Sequence, residues 1–210
     1  DGTLSVAIKD DYKTFIEEIH IPSEFYGKVV TQIAANGFEQ CSSLKTIRLP
    51  ETITVLGKSA FSRCSQLENI NLPNEIKLLP YSVFSSCTSL TSIELPKNLE
   101  EISASCFNGC TNLHEITIPA SVKKILGTID GTDGSSISGT GIFIAYSGIN
   151  KVYFEITTGW RKVNPIYSPK DFSKFSKPVD SSELSDPTKA CELLLSGPDR
   201  FKYYTFYRND

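Results

Sequence analysis

Four cysteines recur 23 residues apart, at Cys41, Cys64, Cys87 and Cys110. Such a row of thiols could ligate a metal, form disulfides, carry redox chemistry or fill a core, and its spacing separates these uses. A zinc site needs four ligands converging on one point, at about 2.3 Å for sulfur, usually from closely spaced pairs. One thiol per repeat makes a line rather than a tetrahedron. Cys106 and Cys110 form the one close pair, and Cys106 falls in a column otherwise held by Ala60 and Val83, a small-filler position. Disulfides between adjacent repeats are compatible with a Cα separation of ~4.8 Å, but parallel Cβ vectors suit the bond poorly. Tyr146 replaces the cysteine in an irregular later repeat. A column that accepts tyrosine mainly fills space, so the thiols are expected to be free, buried and inert, with no metal and no cofactor implied.

The remaining candidates for chemistry are sparse. The two histidines, His20 and His114, fall on repeats four steps apart, about 19 Å at strand spacing, and cannot share a site. Glu94 and Glu115 are predicted to point outward from neighbouring strands with backbones roughly 8 Å apart, near the separation an inverting glycosidase needs. Without a deep pocket or an aromatic sugar platform nearby, a solvated strand face is the simpler account. The loop holding Asp130 and Asp133 lacks the spacing of a calcium hand, and no phosphate-binding glycine loop or nucleophile elbow occurs.

What must position any of these residues is a repeat. Leu44, Leu67, Leu90 and Leu113 share one column; Ile47, Ile70, Ile93 and Ile116 the next; Leu49, Leu72, Leu95 and Ile118 a third; and Pro50, Pro73, Pro96 and Pro119 a fourth. Ile53, Ile76, Leu99 and Val122, then Leu56, Leu79, Ile102 and Ile125, complete each unit, with Phe38, Phe61, Phe84 and Phe107 three residues before the cysteines. A fixed period in the twenties implies stacked coils. Leu-x-x-Ile-x-Leu-Pro has the alternation of a strand buried on one face and stopped by proline. Six such strands predict a parallel ribbon roughly 24 Å long. One coil cannot bury enough to order itself, so stability must come from stacking, and both ends need a cover. A first coil around Ile16, Ile19, Ile21 and Pro22 reaches Phe38 five residues late, and a later one carries a 13-residue excess containing GTIDGTDGSSISG before Phe143, Tyr146, Ile149, Val152 and Phe154. At the end, Asp186 and Pro187 read as a helix start and RFKYYTFYR as a strand.

The outward rows of the ribbon are then Glu18, Thr46, Asn69, Ser92, Glu115 and Lys151, and His20, Arg48, Asn71, Glu94, Thr117 and Tyr153. They are polar, of mixed charge and nearly free of aromatics. A net charge of −3 with no long basic run offers no footprint for nucleic acid or an anionic membrane. No apolar run approaches the ~18 residues of a membrane span. Because the chain begins at Asp1, any signal peptide or lipid anchor is expected to lie outside it.

The motif Leu-x-x-Ile-x-Leu-Pro, followed by Phe-x-x-Cys, resembles the BspA-like (Treponema-type) leucine-rich repeats of bacterial surface proteins, over residues 16–154. The expected fold is α/β by the convention of that class but mostly β: a right-handed solenoid of 23-residue coils with a parallel β ribbon on one face and a C-terminal cap. Its divisions are an N-terminal cap at 1–15, the solenoid at 16–154 and a capping segment at 155–210. The resemblance implies an extracellular or cell-surface, monomeric, non-catalytic module that binds a host or bacterial surface protein or glycan. The residues expected to carry binding are Thr46, Arg48, Asn69, Asn71, Ser92, Glu94, Glu115 and Thr117. Alternatives are a structural spacer for a larger surface protein and a glycan-active enzyme using Glu94 and Glu115.

Overall fold

The computed structural model of the chain describes residues 2–126, 144, 147–163, 177–195 and 205–208. The repeat columns become the core. Leu44, Ile47, Ile53, Leu67, Ile76, Leu79, Leu90, Leu99, Leu113, Val122 and Ile125 have no exposed area. At one edge of the coils Phe38, Phe61, Phe84 and Phe107 stack with ring centroids 5.6 Å apart and planes within 5–12° of parallel. Each ring is flanked by two left-handed residues that fold the coil sharply around it. Asn36, Ser59, Ser82 and Ser105 take φ of 55–59° on one side, and Gln40, Arg63, Ser86 and Gly109 take 61–75° on the other. Side chains with a Cβ pay for this conformation, by about 1–2 kcal/mol each, so the turn is imposed by the buried ring and not by local preference.

All six cysteines are free and buried, including Cys41, Cys64, Cys87 and Cys110, for which the spacing predicts it. They do more than fill space. Cys64 Sγ donates to the Phe38 carbonyl at 3.1 Å, Cys87 Sγ to Phe61 at 3.2 Å, and Cys110 Sγ to Phe84 at 3.0 Å. Each of those carbonyls also accepts the backbone N–H of the cysteine in its own coil. The thiol ladder thus stitches each coil to the one before it.

The first ribbon departs from expectation. Strands Glu18–His20, Thr46–Arg48 and Asn69–Ile70 pair in parallel, with Glu18, Thr46 and Asn69 in one row and His20 beside Arg48. Strand Glu115–Ile118 pairs in parallel with Lys151–Phe154. Between these two pieces residues 91–96 form no strand, so the predicted six-strand ribbon is instead one sheet of three strands and one of two.

A second parallel ribbon, which the repeat pattern does not predict, runs along the column of Leu56, Leu79, Ile102 and Ile125. Strand Lys28–Ile33 pairs with Val55–Leu56, and Leu78–Leu79 with Glu101–Ile102 and then Lys124–Ile125. It too has a break, between Leu56 and Leu79, and here the cause is visible. Gly57, Ser103 and Leu126 donate their backbone N–H to Ile33, Leu79 and Ile102 of the preceding coil. The equivalent residue in the third coil is Pro80, which has no N–H to give.

The five extra residues of the first coil build a hairpin, Glu24–Phe25 against Lys28–Ile33, turned at Tyr26 and Gly27 with φ of 50° and 71°. Strand Thr3–Val6 lies parallel to Lys28–Ile33. At the far end helix Pro187–Leu195 packs on strand Lys151–Phe154, and Asp186 Oδ1 accepts from the N–H of Thr188 and Lys189 at 2.9 and 3.1 Å, the cap its sequence predicts. Strand Thr205–Arg208 runs antiparallel to both Lys124–Ile125 and Trp160–Val163. Arg208 donates to the Ala120 carbonyl at 2.8 Å and lies over the Trp160 ring. The insert GTIDGTDGSSISG, with Phe143 and Tyr146, lies outside the described residues.

Candidate functional site

The ribbon face carries a groove of about 740 Å³, lined by Glu18, Thr46 to Leu49, Glu68 to Asn71, and Ser92 to Glu94. Beside it a second groove of about 560 Å³ is lined by Ser92 to Leu95, Lys97, Thr117, Pro119, Ala120 and Glu155. Ser92, Ile93 and Glu94 belong to both, so the unpaired segment is the wall between them.

Six of the residues expected to carry binding, Thr46, Arg48, Asn69, Asn71, Ser92 and Glu94, meet in the larger groove. Thr117 lines the smaller one. Glu115 lines neither; it is exposed on its strand opposite Lys151. The neighbouring-strand geometry from which the Glu94 and Glu115 separation was predicted is therefore not formed, because residue 94 is in no strand. His20 sits 3.0 Å from Glu18, and His114 Nδ1 lies 3.3 Å from the Gly148 carbonyl, so each histidine is occupied locally.

Asn71 has a use that its place in the row did not reveal. Its Oδ1 accepts the Leu49 N–H at 2.9 Å while its Nδ2 donates to the Leu49 carbonyl at 2.8 Å. The side-chain amide replaces a strand residue in the ladder, which makes Asn71 a structural clamp on the groove floor. A row of amides at this position would have been the signal, but Arg48, Glu94 and Thr117 fill the same row elsewhere.

The electrostatics of Cys64, Cys87, Cys106 and Cys110 argue against their nucleophilic use, whereas Cys41 is lowered by its contact with Cys64. Burial pushes Cys87 and Cys106 up, and Cys110 up to about 12. Cys64 is raised first by its contact with Cys41 and then by burial. A thiol held protonated is a poor nucleophile and a poor metal ligand. Among the described residues no group of three or more histidines, cysteines and carboxylates could hold a metal ion, and no helix is long and apolar enough to cross a membrane.

A family model described as the BspA type leucine rich repeat region matches residues 11–129 in six copies. The chain belongs to this BspA-type family. Among solved structures it is similar to the T. pallidum leucine rich repeat protein TpLRR, at 32% identity and a TM-score of 0.50, covering 53% of this chain and 51% of that one. It is similar to a leucine rich cell surface protein of Faecalibacterium prausnitzii, at 28% identity and a TM-score of 0.52, covering 67% of this chain and 32% of that one. A leucine-rich repeat protein of Bacteroides ovatus matches at 32% identity and a TM-score of 0.51, covering 58% and 32%. The BspA-type chain therefore spans about half of the first of these proteins and about a third of the other two. No functionally curated protein matches it. The likeness carries the solenoid.

Proposed function

We propose that this BspA-type chain is a non-catalytic, extracellular or cell-surface binding module. Its ribbon face recognises a polar host or bacterial surface protein or glycan. The observation that carries this reading is the groove on the ribbon, where two outward rows of the repeat converge on a concavity of about 740 Å³. Recognition surfaces of modest affinity are built from such mixed polar side chains on a rigid frame. The glycan-active alternative loses support because Glu94 and Glu115 do not face one groove.

The test is the double substitution Arg48→Ala with Glu94→Ala, assayed against matrix proteins and a glycan array. Both residues are exposed, so folding should change by no more than about 0.5 kcal/mol. Binding of any ligand found should weaken several-fold. If that variant binds normally while deletion of GTIDGTDGSSISG abolishes binding, the ribbon is not the site. If neither change affects any ligand, the chain acts as a spacer.

A further inference from the structure

The two ends of the stack are finished differently. At the C-terminal end, strand Thr205–Arg208 covers Lys124–Ile125 and helix Pro187–Leu195 covers Lys151–Phe154. At the N-terminal end no described element does the same. Thr3–Val6 pairs with Lys28–Ile33 alone and Glu18–His20 with Thr46–Arg48 alone, so each is the first strand of its sheet and has one open side. The apolar interior shows there as well. Ile16 and Ile19 are only partly buried, as are Leu4, Val6 and Ile8, whereas Leu44 and Ile47, one coil on in the columns of Ile16 and Ile19, have no exposed area. The same end coil carries Tyr12 and Phe15, 54% and 77% exposed.

The open edge of Glu18–His20 has a defined set of donors and acceptors. The Glu17 carbonyl accepts from Lys45 and Thr46, and the Ile21 N–H donates to Arg48, so both face the next coil. Backbone groups change side from one strand residue to the next, which turns the N–H and C=O of Glu18 and His20 away from the stack. Pro22, the next residue of that parity, has no N–H and ends the edge. The segment Glu-Ile-His is also self-complementary. A two-fold axis through Ile19 sets Glu18 opposite His20 of a second copy, and His20 opposite Glu18 of that copy, each as a hydrogen-bonded antiparallel pair. A carboxylate then meets an imidazole at both places. Glu18 and His20 lie 3.0 Å apart within one chain, with side chains 58% and 60% exposed, so the four groups make one alternating cluster over the axis.

We propose that the chain forms a head-to-head dimer through this edge, in place of the monomer that the repeat resemblance implies. An open strand edge is a template for another chain, and a second copy supplies what this end lacks. It brings a matching row of donors and acceptors, the opposite charge at each pair, and an apolar surface of its own over Ile16, Ile19 and Phe15. The three strands of the first ribbon join their counterparts in one continuous sheet. Because the axis stands perpendicular to that sheet, both copies turn their ribbon grooves to the same side. The dimer is independent of what the ribbon binds.

Sedimentation velocity of the full chain between about 1 μM and 1 mM should show the 23.2 kDa species giving way to one of twice that mass. His20→Glu sets a glutamate against Glu18 of the second copy, and Glu18→Lys sets a lysine against its His20. Each should weaken self-association several-fold, as like charges directly opposite do. An equimolar mixture of the two variants should associate more tightly than either alone, because lysine then faces glutamate at one pair and Glu18 faces His20 at the other. Both positions are exposed, and a melt at the dilute limit checks that each variant is folded. Amide exchange at Glu18 and His20 should slow at least about fivefold on association, with Ile21, already bonded to Arg48, little changed. A single mass of 23.2 kDa over the whole range, self-association that neither substitution alters, a mixture no tighter than its parts, or unchanged exchange at Glu18 and His20 would each overturn the proposal.

Discussion

Phe84→Ala tests the stacked edge that holds the coils together. Phe84 has no exposed area and lies between Phe61 and Phe107, with centroids 5.6 Å away on both faces. Removing a buried ring of this kind costs about 3–5 kcal/mol, because the lost transfer energy is joined by a cavity that the neighbours cannot fill. Collapse is especially limited here, since the Phe61 and Phe107 rings are held by the hydrogen bonds of their own coils. Phe38 stacks on Phe61 alone among the described residues, so Phe38→Ala should cost measurably less than Phe84→Ala. A cycle of Phe61→Ala and Phe84→Ala should return a coupling of about 0.5–1.5 kcal/mol, the worth of one ring pair beyond its buried area. Urea unfolding followed by circular dichroism reads all three quantities. A loss under about 1 kcal/mol for Phe84→Ala, or equal losses at Phe38 and Phe84, would show that the column does not act as a continuous stack.

The thiols give a pH dependence with a defined sign. Burial raises Cys87, Cys106 and Cys110 above the ~8.5 at which a thiol titrates in an unfolded chain. Their stabilisation is complete below that pH and falls as pH rises, by about 1.4 kcal/mol per unit per thiol until the folded value is passed. Comparing the melts of the parent and Cys87→Ala between pH 8 and 10 should show a shallower decline in the variant; identical slopes would refute this. The six cysteines should resist alkylation in the native protein and all react after denaturation without reductant, and any disulfide seen by intact mass would contradict the free ladder. Gly109→Ala should cost about 1 kcal/mol, because φ is 75° and the added Cβ would meet Ser86 Oγ at 3.2 Å; an unchanged melt would show that the turn relaxes. Removing residues 186–210 should cause aggregation or loss of the cooperative melt, since strand Lys124–Ile125 and the face of Lys151–Phe154 lose the elements that cover them, whereas a melt like the parent's would locate the cap elsewhere.

A period of 23 was enough to determine the columns. When every coil repeats the same residues, each position meets its own equivalent above and below, so Ile47 must stack toward Ile70 and Phe61 toward Phe84 whatever the details of the chain path. Burial of the column thiols and the outward rows of the ribbon follow from the same regularity, and the Asp186 cap follows from the local helix-start signal of Asp186 and Pro187. The second ribbon was not legible, because every strand in it after Lys28–Ile33 is two residues long and too short to show an alternation of period two. Its interruption was legible in principle, since Pro80 removes one specific donor. Nothing in Thr-Ser-Ile-Glu-Leu-Pro distinguishes residues 91–96 from their paired neighbours. Their unpaired state depends on how adjacent coils are oriented, a property of neighbours and not of the segment itself. The same is true of Asn71, whose amide occupies the Leu49 backbone only because that strand lies within its reach. Residue type therefore decided what faces inward and outward, while coil-to-coil geometry decided where the ribbon is interrupted and which polar side chain, Asn71, closes on a neighbouring backbone.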